Sequence, residues 1–193
     1  MSRLSLTTLQ GLPALGNVIS LTSGVGFYGA GSIVQVVQTR TSARNTYAAA
    51  VTGNGSTITD LNLTVTPKSA SSLMLITWMI NAEVFYDTIF TIHQDGALIT
   101  TAGYEAYNRE VGNSRWSGVA HGQYESDTDS TMSNWRIQYA VLAGSITSRT
   151  YAPAIRSSSG SAYTLYLNRP AGSTGATNYE NTISTGIIME IAQ

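Results

Sequence analysis

The chain has 193 residues, of which 11% are charged, less than half of the roughly 25% that is usual in globular proteins. Ten basic and eleven acidic side chains give a formal net charge of −1, and they form no basic patch of the kind with which nucleic-acid binding begins. The absence of cysteine excludes disulfides, thiolate chemistry and cysteine-ligated zinc.

The sequence gives no sign of a membrane span, since no stretch approaches about 18 uninterrupted apolar residues. The N-terminus lacks a basic region followed by an apolar core, so we expect no conventional secretory signal. The length fits one β-sandwich core with a terminal extension. Because charges are few, the polar surface must come mostly from Ser, Thr, Asn, Gln, Gly and Tyr. Such a surface is more typical of extracellular β-domains, lectins and virion proteins than of cytosolic enzymes.

The first predicted element is an N-terminal arm over residues 1–30, which is nearly uncharged, glycine-rich and hydrophobic without a sustained period. An exposed apolar arm is sticky in water, so we expect it to attach to its own domain or to a partner during assembly. An ordinary first strand through Val18, Ile19 and Leu21 is the alternative. The apolar side chains of the predicted assembly arm are Leu4, Leu6, Leu9, Leu12, Leu15, Val18 and Ile19.

Residues 31–193 read as a second unit made of short β-runs separated by Gly, Ser and Asn. Within 133–143, apolar side chains alternate with polar ones, as a strand with one buried face requires. Asp95-Gly96 predicts a tight hairpin turn, and Trp78 and Trp135 are predicted core residues. The predicted strands are about 32–40, 57–66, 73–85, 88–94, 97–101, 114–124, 133–143, 145–153, 161–168 and 184–192. This spacing predicts an all-β fold, an antiparallel β-sandwich of the jelly-roll kind.

Metal-binding patterns are weak in this sequence. His93 and His121 lie far apart, and the alternation around His93 predicts a place on the polar face of a strand. Asp127 and Asp129 have the two-residue spacing of calcium-binding oxygens, but the pattern lacks the glycine and the distal glutamate of an EF-hand loop. We therefore favour a solvated turn there, and we expect no metal and no cofactor.

Catalytic motifs are missing as well. The sequence contains no nucleophile elbow, no zinc-protease histidine pair and no phosphate-binding lysine loop. Paired carboxylates for glycoside hydrolysis would have to come from Glu83, Glu105 or Glu110, whose separations the sequence does not give. We expect the protein not to be an enzyme.

One segment combines aromatic and polar side chains with few strand signals, which is typical of a recognition loop. An ordinary connection whose tyrosines cap the end of the sandwich is the equal alternative. The candidate ligand-binding residues are Tyr104, Tyr107, Arg109, Arg115 and Trp116.

Three segments carry a resemblance: GSIVQVVQTRT at 31–41, TDLNLTVTPKSASSLMLITWMINAE at 59–83 and TGIIMEIAQ at 185–193. They resemble small β-rich virion structural proteins of tailed bacteriophages, particularly phages of cyanobacteria and marine bacteria. The likeness spans roughly 31–193 and includes no catalytic motif. It implies a trimeric jelly roll, like the heads of tumour necrosis factor and complement C1q. A trimer would explain the apolar residues on both faces of 73–85 and the strand end Ile188-Met189-Glu190-Ile191.

The resemblance implies a place on the outer surface of a virion. The first expectation is a homotrimer on the tail, as a short fibre or receptor-binding tip that the arm attaches to tail or baseplate proteins. The alternative is a capsid decoration (cement) protein, whose arm lies across major capsid protein subunits. A less favoured alternative is a carbohydrate-binding module in which Tyr104, Tyr107 and Trp116 stack on a host-surface glycan.

Overall fold

The computed structural model of the chain describes residues 29–99, 132–172 and 180–193, together with the backbone of 108–111, 114–117 and 120–121. The described part contains β-strands and no α-helix, which confirms the predicted all-β fold. The strands are β1 (Ile33–Thr41), β2 (Thr46–Ala49), β3 (Ser56–Thr57), β4 (Leu63–Val65), β5 (Leu73–Glu83), β6 (Thr88–Gln94), β7 (Ala97–Leu98), β8 (Asn108–Val111), β9 (Ser114–Ser117), β10 (Ala120–His121), β11 (Ser133–Leu142), β12 (Arg149–Ser157), β13 (Tyr163–Leu167) and β14 (Ser184–Ile191).

The strands form two antiparallel sheets of six and a separate hairpin of β8 and β9. Sheet I has β1, β14, β5 and β11 side by side, and β13 pairs with the end of β5 and carries β2 on its other side. Sheet II is built on the pair of β6 and β12. In sheet II, β3 and β4 pair with β12, while β7 and β10 pair with β6.

The strands pair in a nested order. β3 with β4, and β7 with β10, are each counted here as one position, and β2, β13 and the β8–β9 hairpin are left out of the count. The first position then pairs with the eighth, β1 with β14. The second pairs with the seventh (β3 and β4 with β12), the third with the sixth (β5 with β11) and the fourth with the fifth (β6 with β7 and β10). The pair of β2 and β13 fits the same nesting. Distant parts of the chain therefore meet in every layer.

The core lies between the two sheets. Alternate residues of β5 point inward, and Trp78 at its centre is fully buried with its indole Nε1–H donating to the Leu61 carbonyl at 3.0 Å. Phe90 of sheet II and Trp135 of sheet I join the layers, with ring centroids 5.3 Å apart. Trp78 and Trp135 are both buried, as predicted.

The predicted hairpin at Asp95-Gly96 is confirmed. Asp95 has a φ of 53° and Gly96 a φ of 81°, the left-handed conformations that a two-residue primed turn requires. Gln94 pairs with Ala97 across the turn. The Asp95 carboxylate also accepts a hydrogen bond from the Thr150 N–H at 2.7 Å, which ties the turn to β12.

Two predicted strands are wrong in extent. The predicted run 57–66 is interrupted by a 3-10 turn at Thr59–Leu61, whose last residue is buried. The predicted run 145–153 starts too early and ends too soon, because β12 covers Arg149–Ser157 and continues through Pro153. The Pro153 carbonyl accepts from the Ile58 N–H at 2.8 Å, in the gap between β3 and β4. The proline nitrogen faces the same gap, so its missing N–H costs no ladder hydrogen bond.

Candidate functional site

The surface of sheet I that faces away from the core is the candidate functional site, and we call it the open face. Register places alternate residues of β1, β14, β5 and β11 on it, in rows that cross all four strands. Its large apolar side chains include Ile33, Val36, Met79 and Leu142, which are 54%, 56%, 46% and 44% exposed. Half-buried apolar side chains lie beside them in the same rows or in the adjoining row: Leu73, Leu75, Ile187, Met189 and Ile191.

The open face is graded from an apolar end to a polar end. At the apolar end, one row joins Ile33, Ile191, Leu73 and Leu142, and the next includes Val36, Met189 and Leu75. Two rows further on, Arg40 and Arg136 stand on either side of Thr185 and Met79. Asn81 and Asn134 come last, with the Asn134 amide donating to the Asn81 side-chain oxygen at 2.8 Å. Protein interfaces likewise combine an apolar part with a polar part.

The charge on this face has one sign. Among the described exposed positions of β1, β5, β11 and β14, the charged side chains are Arg40 and Arg136. The one carboxylate of β14, Glu190, points inward and is fully buried. A surface that lies against the polar end of the open face therefore has to offer acceptors or carboxylates to these two guanidinium groups.

Glu190 fixes the edge of the open face from beneath. Its carboxylate accepts hydrogen bonds from the Lys68 N–H at 2.8 Å, the Ser69 N–H at 3.2 Å and the Gln35 amide at 2.5 Å. Burial raises the pKa of Glu190, but hydrogen bonds from Gln35, Ser72, Lys68 and Ser69 outweigh it and hold the pKa below its ordinary value. The ionised carboxylate thus joins β1, β14 and the turn before β5 at the apolar end.

Most of the predicted site residues lie outside the described residues. These are the arm side chains Leu4, Leu6, Leu9, Leu12, Leu15, Val18 and Ile19, the loop residues Tyr104 and Tyr107, and the acidic pair Asp127 and Asp129. Arg109, Arg115 and Trp116 belong to the β8–β9 hairpin, in which Arg109 is opposite Trp116 and Arg115 is opposite Glu110. β9 falls within the predicted strand 114–124, whereas β8 was not predicted, since this short strand carries no apolar alternation.

His93 is buried, although it lies on the face of β6 that was predicted to be polar. β3 and the segment before it cover His93: its Nε2 is 2.9 Å from the Asn54 carbonyl and its Nδ1 is 3.2 Å from the Thr57 hydroxyl. Both ring nitrogens are thus within hydrogen-bonding reach of a fixed partner. His121 belongs to the backbone pair with Thr88.

Glu83 is fully buried, and its carboxylate accepts a hydrogen bond from the Ala171 N–H. It therefore holds the connection after β13 in place. No group of three potential metal-ligating side chains occurs within the described ranges. Nor does any described helix have the length and apolarity to cross a membrane.

Sequence reasoning singled out two strands of the open face, β5, because its apolar residues occupy both sides, and β14, because of its end Ile188-Met189-Glu190-Ile191. It missed the contributions of Val36 and Leu142, because polar residues occupy the same side of each strand. These are Gln38 and Arg40 on β1, and Gln138 and Arg136 on β11. Only the register across four strands brings the apolar positions together. No protein-family model matches the sequence, and comparison with curated proteins finds no relative.

Proposed function

We propose that this chain is a structural protein on the outside of a bacteriophage virion, where its β-sandwich forms a homotrimer displayed on the tail as a short fibre or receptor-binding tip. The resemblance of 31–41, 59–83 and 185–193 to such proteins supports the virion assignment. The observation that carries the assembly role is the open face, which exposes large apolar side chains across four paired strands.

The size of the open face supports assembly. Four strands about 4.8 Å apart, with about 3.3 Å per residue over roughly nine residues, give a flat area of about 600 Å² before side-chain relief is added. A standard interface buries about 800 Å² on each partner, so the open face, one end of which is apolar, approaches the size that a stable interface needs. A second copy of the chain is a natural partner, because closed symmetry hides such a face in every copy.

The nested pairing of the strands supports the jelly-roll assignment. A jelly roll wraps an extended antiparallel ribbon so that its first strand pairs with its last and each inner pair follows in turn. The pairs of β1 with β14, β3 and β4 with β12, β5 with β11, and β6 with β7 and β10 follow that rule. In this arrangement β1, β14, β5 and β11 share one sheet, and the open face belongs to that sheet.

The purified chain is expected to have three times its 20.5 kDa mass in native mass spectrometry and in light scattering. Val36→Asp should convert it to a monomer at micromolar concentration, because each copy would bury a carboxylate in the apolar part of the interface. Val36 is 56% exposed in the single chain, so the variant should keep its fold and its circular dichroism spectrum.

Ala97→Asp is the matched control for this experiment. Ala97 is exposed on sheet II beside the Asp95-Gly96 turn, so a new carboxylate there should leave the trimer intact. A monomeric wild-type chain at tens of micromolar, or an Ala97 variant that dissociates as readily as the Val36 variant, would contradict assembly through the open face.

Deletion of residues 1–30 should leave the β-domain folded and abolish its incorporation into particles. The reason for the first expectation is that the described buried residues of the core between sheets I and II begin at Ala49. The measurement is the melting temperature of the truncated chain, together with immunoblots of particles assembled in its presence. Normal incorporation of the truncated chain would contradict the assembly role of the arm.

Imaging of particles that carry a label on this chain tests its location. Label at the tail supports the fibre or tip assignment. Label at three-fold positions of the capsid would instead favour the decoration protein. Both placements use the open face in the same way. The mass measurement therefore tests the trimer, and the imaging tests its location on the particle.

A further inference from the structure

Tyr86 occupies an unusual position in the connection between β5 and β6, at the opposite end of β6 from the Asp95-Gly96 turn. Its φ is 61°, a left-handed conformation that bulky side chains rarely adopt, and the residue is 40% exposed. Glycine or asparagine would occupy this backbone conformation at lower cost. Strained residues of this kind concentrate at functional sites such as ligand-binding sites, where the strain is retained because the side chain has a role there.

Neighbouring aromatic rings hold the Tyr86 ring in place. Its centroid is 4.9 Å from that of Tyr163, with 32° between the ring planes, and 6.4 Å from that of Phe85. The Tyr163 hydroxyl accepts a hydrogen bond from the Ser159 hydroxyl at 3.1 Å, which fixes the supporting ring in turn. A ring that is ordered before binding loses little conformational entropy when a ligand arrives.

Hydroxyl groups surround this aromatic cluster. The connection 158–162 has the sequence Ser-Ser-Gly-Ser-Ala, and its Ser158 N–H donates to the Asp87 carbonyl at 2.9 Å, which joins it to the Tyr86 connection. Ser161 is exposed and Ser158 and Ser159 are half-exposed. The Ser159 hydroxyl is engaged with the Tyr163 hydroxyl and with the backbone of Ser161, so the Ser158 and Ser161 hydroxyls are the groups that can donate to and accept from a ligand. In the connections 84–87 and 158–162 the only charged residue is Asp87, so they contain no cation for an anionic ligand.

We propose that Tyr86 and the serine connection 158–162 form a binding site for a neutral glycan. The C–H-rich face of a pyranose ring would stack on the Tyr86 ring, whose negative π-face attracts those hydrogens, while the sugar hydroxyls exchange hydrogen bonds with the serines. This combination of one aromatic surface with a few oriented polar groups is typical of small-ligand sites. The site uses none of the residues of the open face and none of the ligand-binding residues predicted from the sequence, and the inference goes beyond the proposed assembly function.

The test uses the strained backbone of Tyr86. Tyr86→Asn removes the ring and supplies a residue that tolerates positive φ, so the variant should melt at the same temperature as the wild type or higher. Its binding should fall at least tenfold. The probe is an array of neutral hexose and N-acetylhexosamine oligosaccharides with matched sialylated ones, and hits are quantified by saturation-transfer NMR and calorimetry on the purified full chain.

Tyr166→Ala is the matched control, because Tyr166 is a half-buried tyrosine on sheet I whose ring lies 4.8 Å from the Arg169 guanidinium carbon. It should retain full glycan binding. A purely structural role for Tyr86 predicts the opposite results, namely a lower melting temperature and unchanged binding for Tyr86→Asn. That outcome overturns the proposal, as does a wild-type chain that binds no neutral glycan or only the sialylated ones. The assay needs no particle, so its result is independent of the mass and imaging tests.

Discussion

Gly186→Ala should lower the free energy of unfolding by about 2–3 kcal/mol, the usual cost of forcing an extra carbon into a packed core. A Cβ at this position of β14 would lie 2.6 Å from Cδ1 and 2.8 Å from Nε1 of Trp78. Trp78 is opposite Gly186 in the ladder and is held by its hydrogen bond to the Leu61 carbonyl. The indole cannot withdraw without breaking that bond, so the strain falls on β14 itself. Urea unfolding at fixed chain concentration measures the change.

Gly160→Ala is the control for this substitution. A Cβ there meets nothing within 4 Å, and Gly160 does not have the left-handed φ that would strain an alanine. Its effect should stay within about 0.5 kcal/mol or be slightly stabilising, because alanine restricts the unfolded chain. An equally small loss of stability in both variants would contradict this expectation. It would mean that a small movement of the sheet relieves the close contact with Trp78, and that β14 packs less tightly than its distances indicate.

Local patterns predicted those parts of the fold that local chemistry decides. The run 88–94 matches β6 to the residue, and the alternation in 133–143 places Trp135, Ile137, Tyr139 and Val141 on the buried side. The Asp95-Gly96 turn depends on two residues that tolerate positive φ, so it is visible without any tertiary information.

The parts that local patterns missed depend on partners far away in the chain. Pro153 predicts a strand end, yet β12 continues through it. The Pro153 nitrogen faces the gap between β3 and β4, so its missing N–H costs no ladder hydrogen bond. In β14, the sequence alternates Ile187 and Met189 with Ile188 and Glu190, and periodicity alone does not tell which set faces the core. The structure turns the carboxylate inward and the apolar set outward, which reverses the usual preference.

The candidate site was predictable only in part for the same reason. Each strand of the open face mixes apolar and polar residues, and the apolar end exists because residue 33 meets residue 191 and residue 73 meets residue 142. Tyr86 was not singled out by its sequence context, since its backbone conformation is set by the path between β5 and β6. Long-range register and backbone strain carry no local signature.

Glu190→Gln should cost about 2–4 kcal/mol at neutral pH, because charge-assisted hydrogen bonds are lost and an amide N–H₂ is turned towards N–H donors. The carboxylate accepts from the Lys68 and Ser69 N–H groups and from the Gln35 amide, and an amide side chain has one acceptor oxygen for these three. Glu180→Gln, at an exposed position, should change stability by less than about 0.5 kcal/mol. Paired urea titrations at pH 7 measure both effects.

The pH dependence of the stability difference between wild type and Glu190→Gln tests whether the negative charge of Glu190 is its cause. The pKa of Glu190 lies below its ordinary value in the folded protein, so protonation favours the unfolded chain. Its contribution should be fully present above the unfolded pKa of about 4.3 and should be lost as the pH falls through the folded pKa. The stability gap between wild type and Glu190→Gln should therefore stay constant from neutral pH to about pH 5.5 and narrow below about pH 4. A gap that stays constant down to pH 2 would mean that shape, and not the negative charge of the buried carboxylate, is what the turn at Lys68 and Ser69 requires.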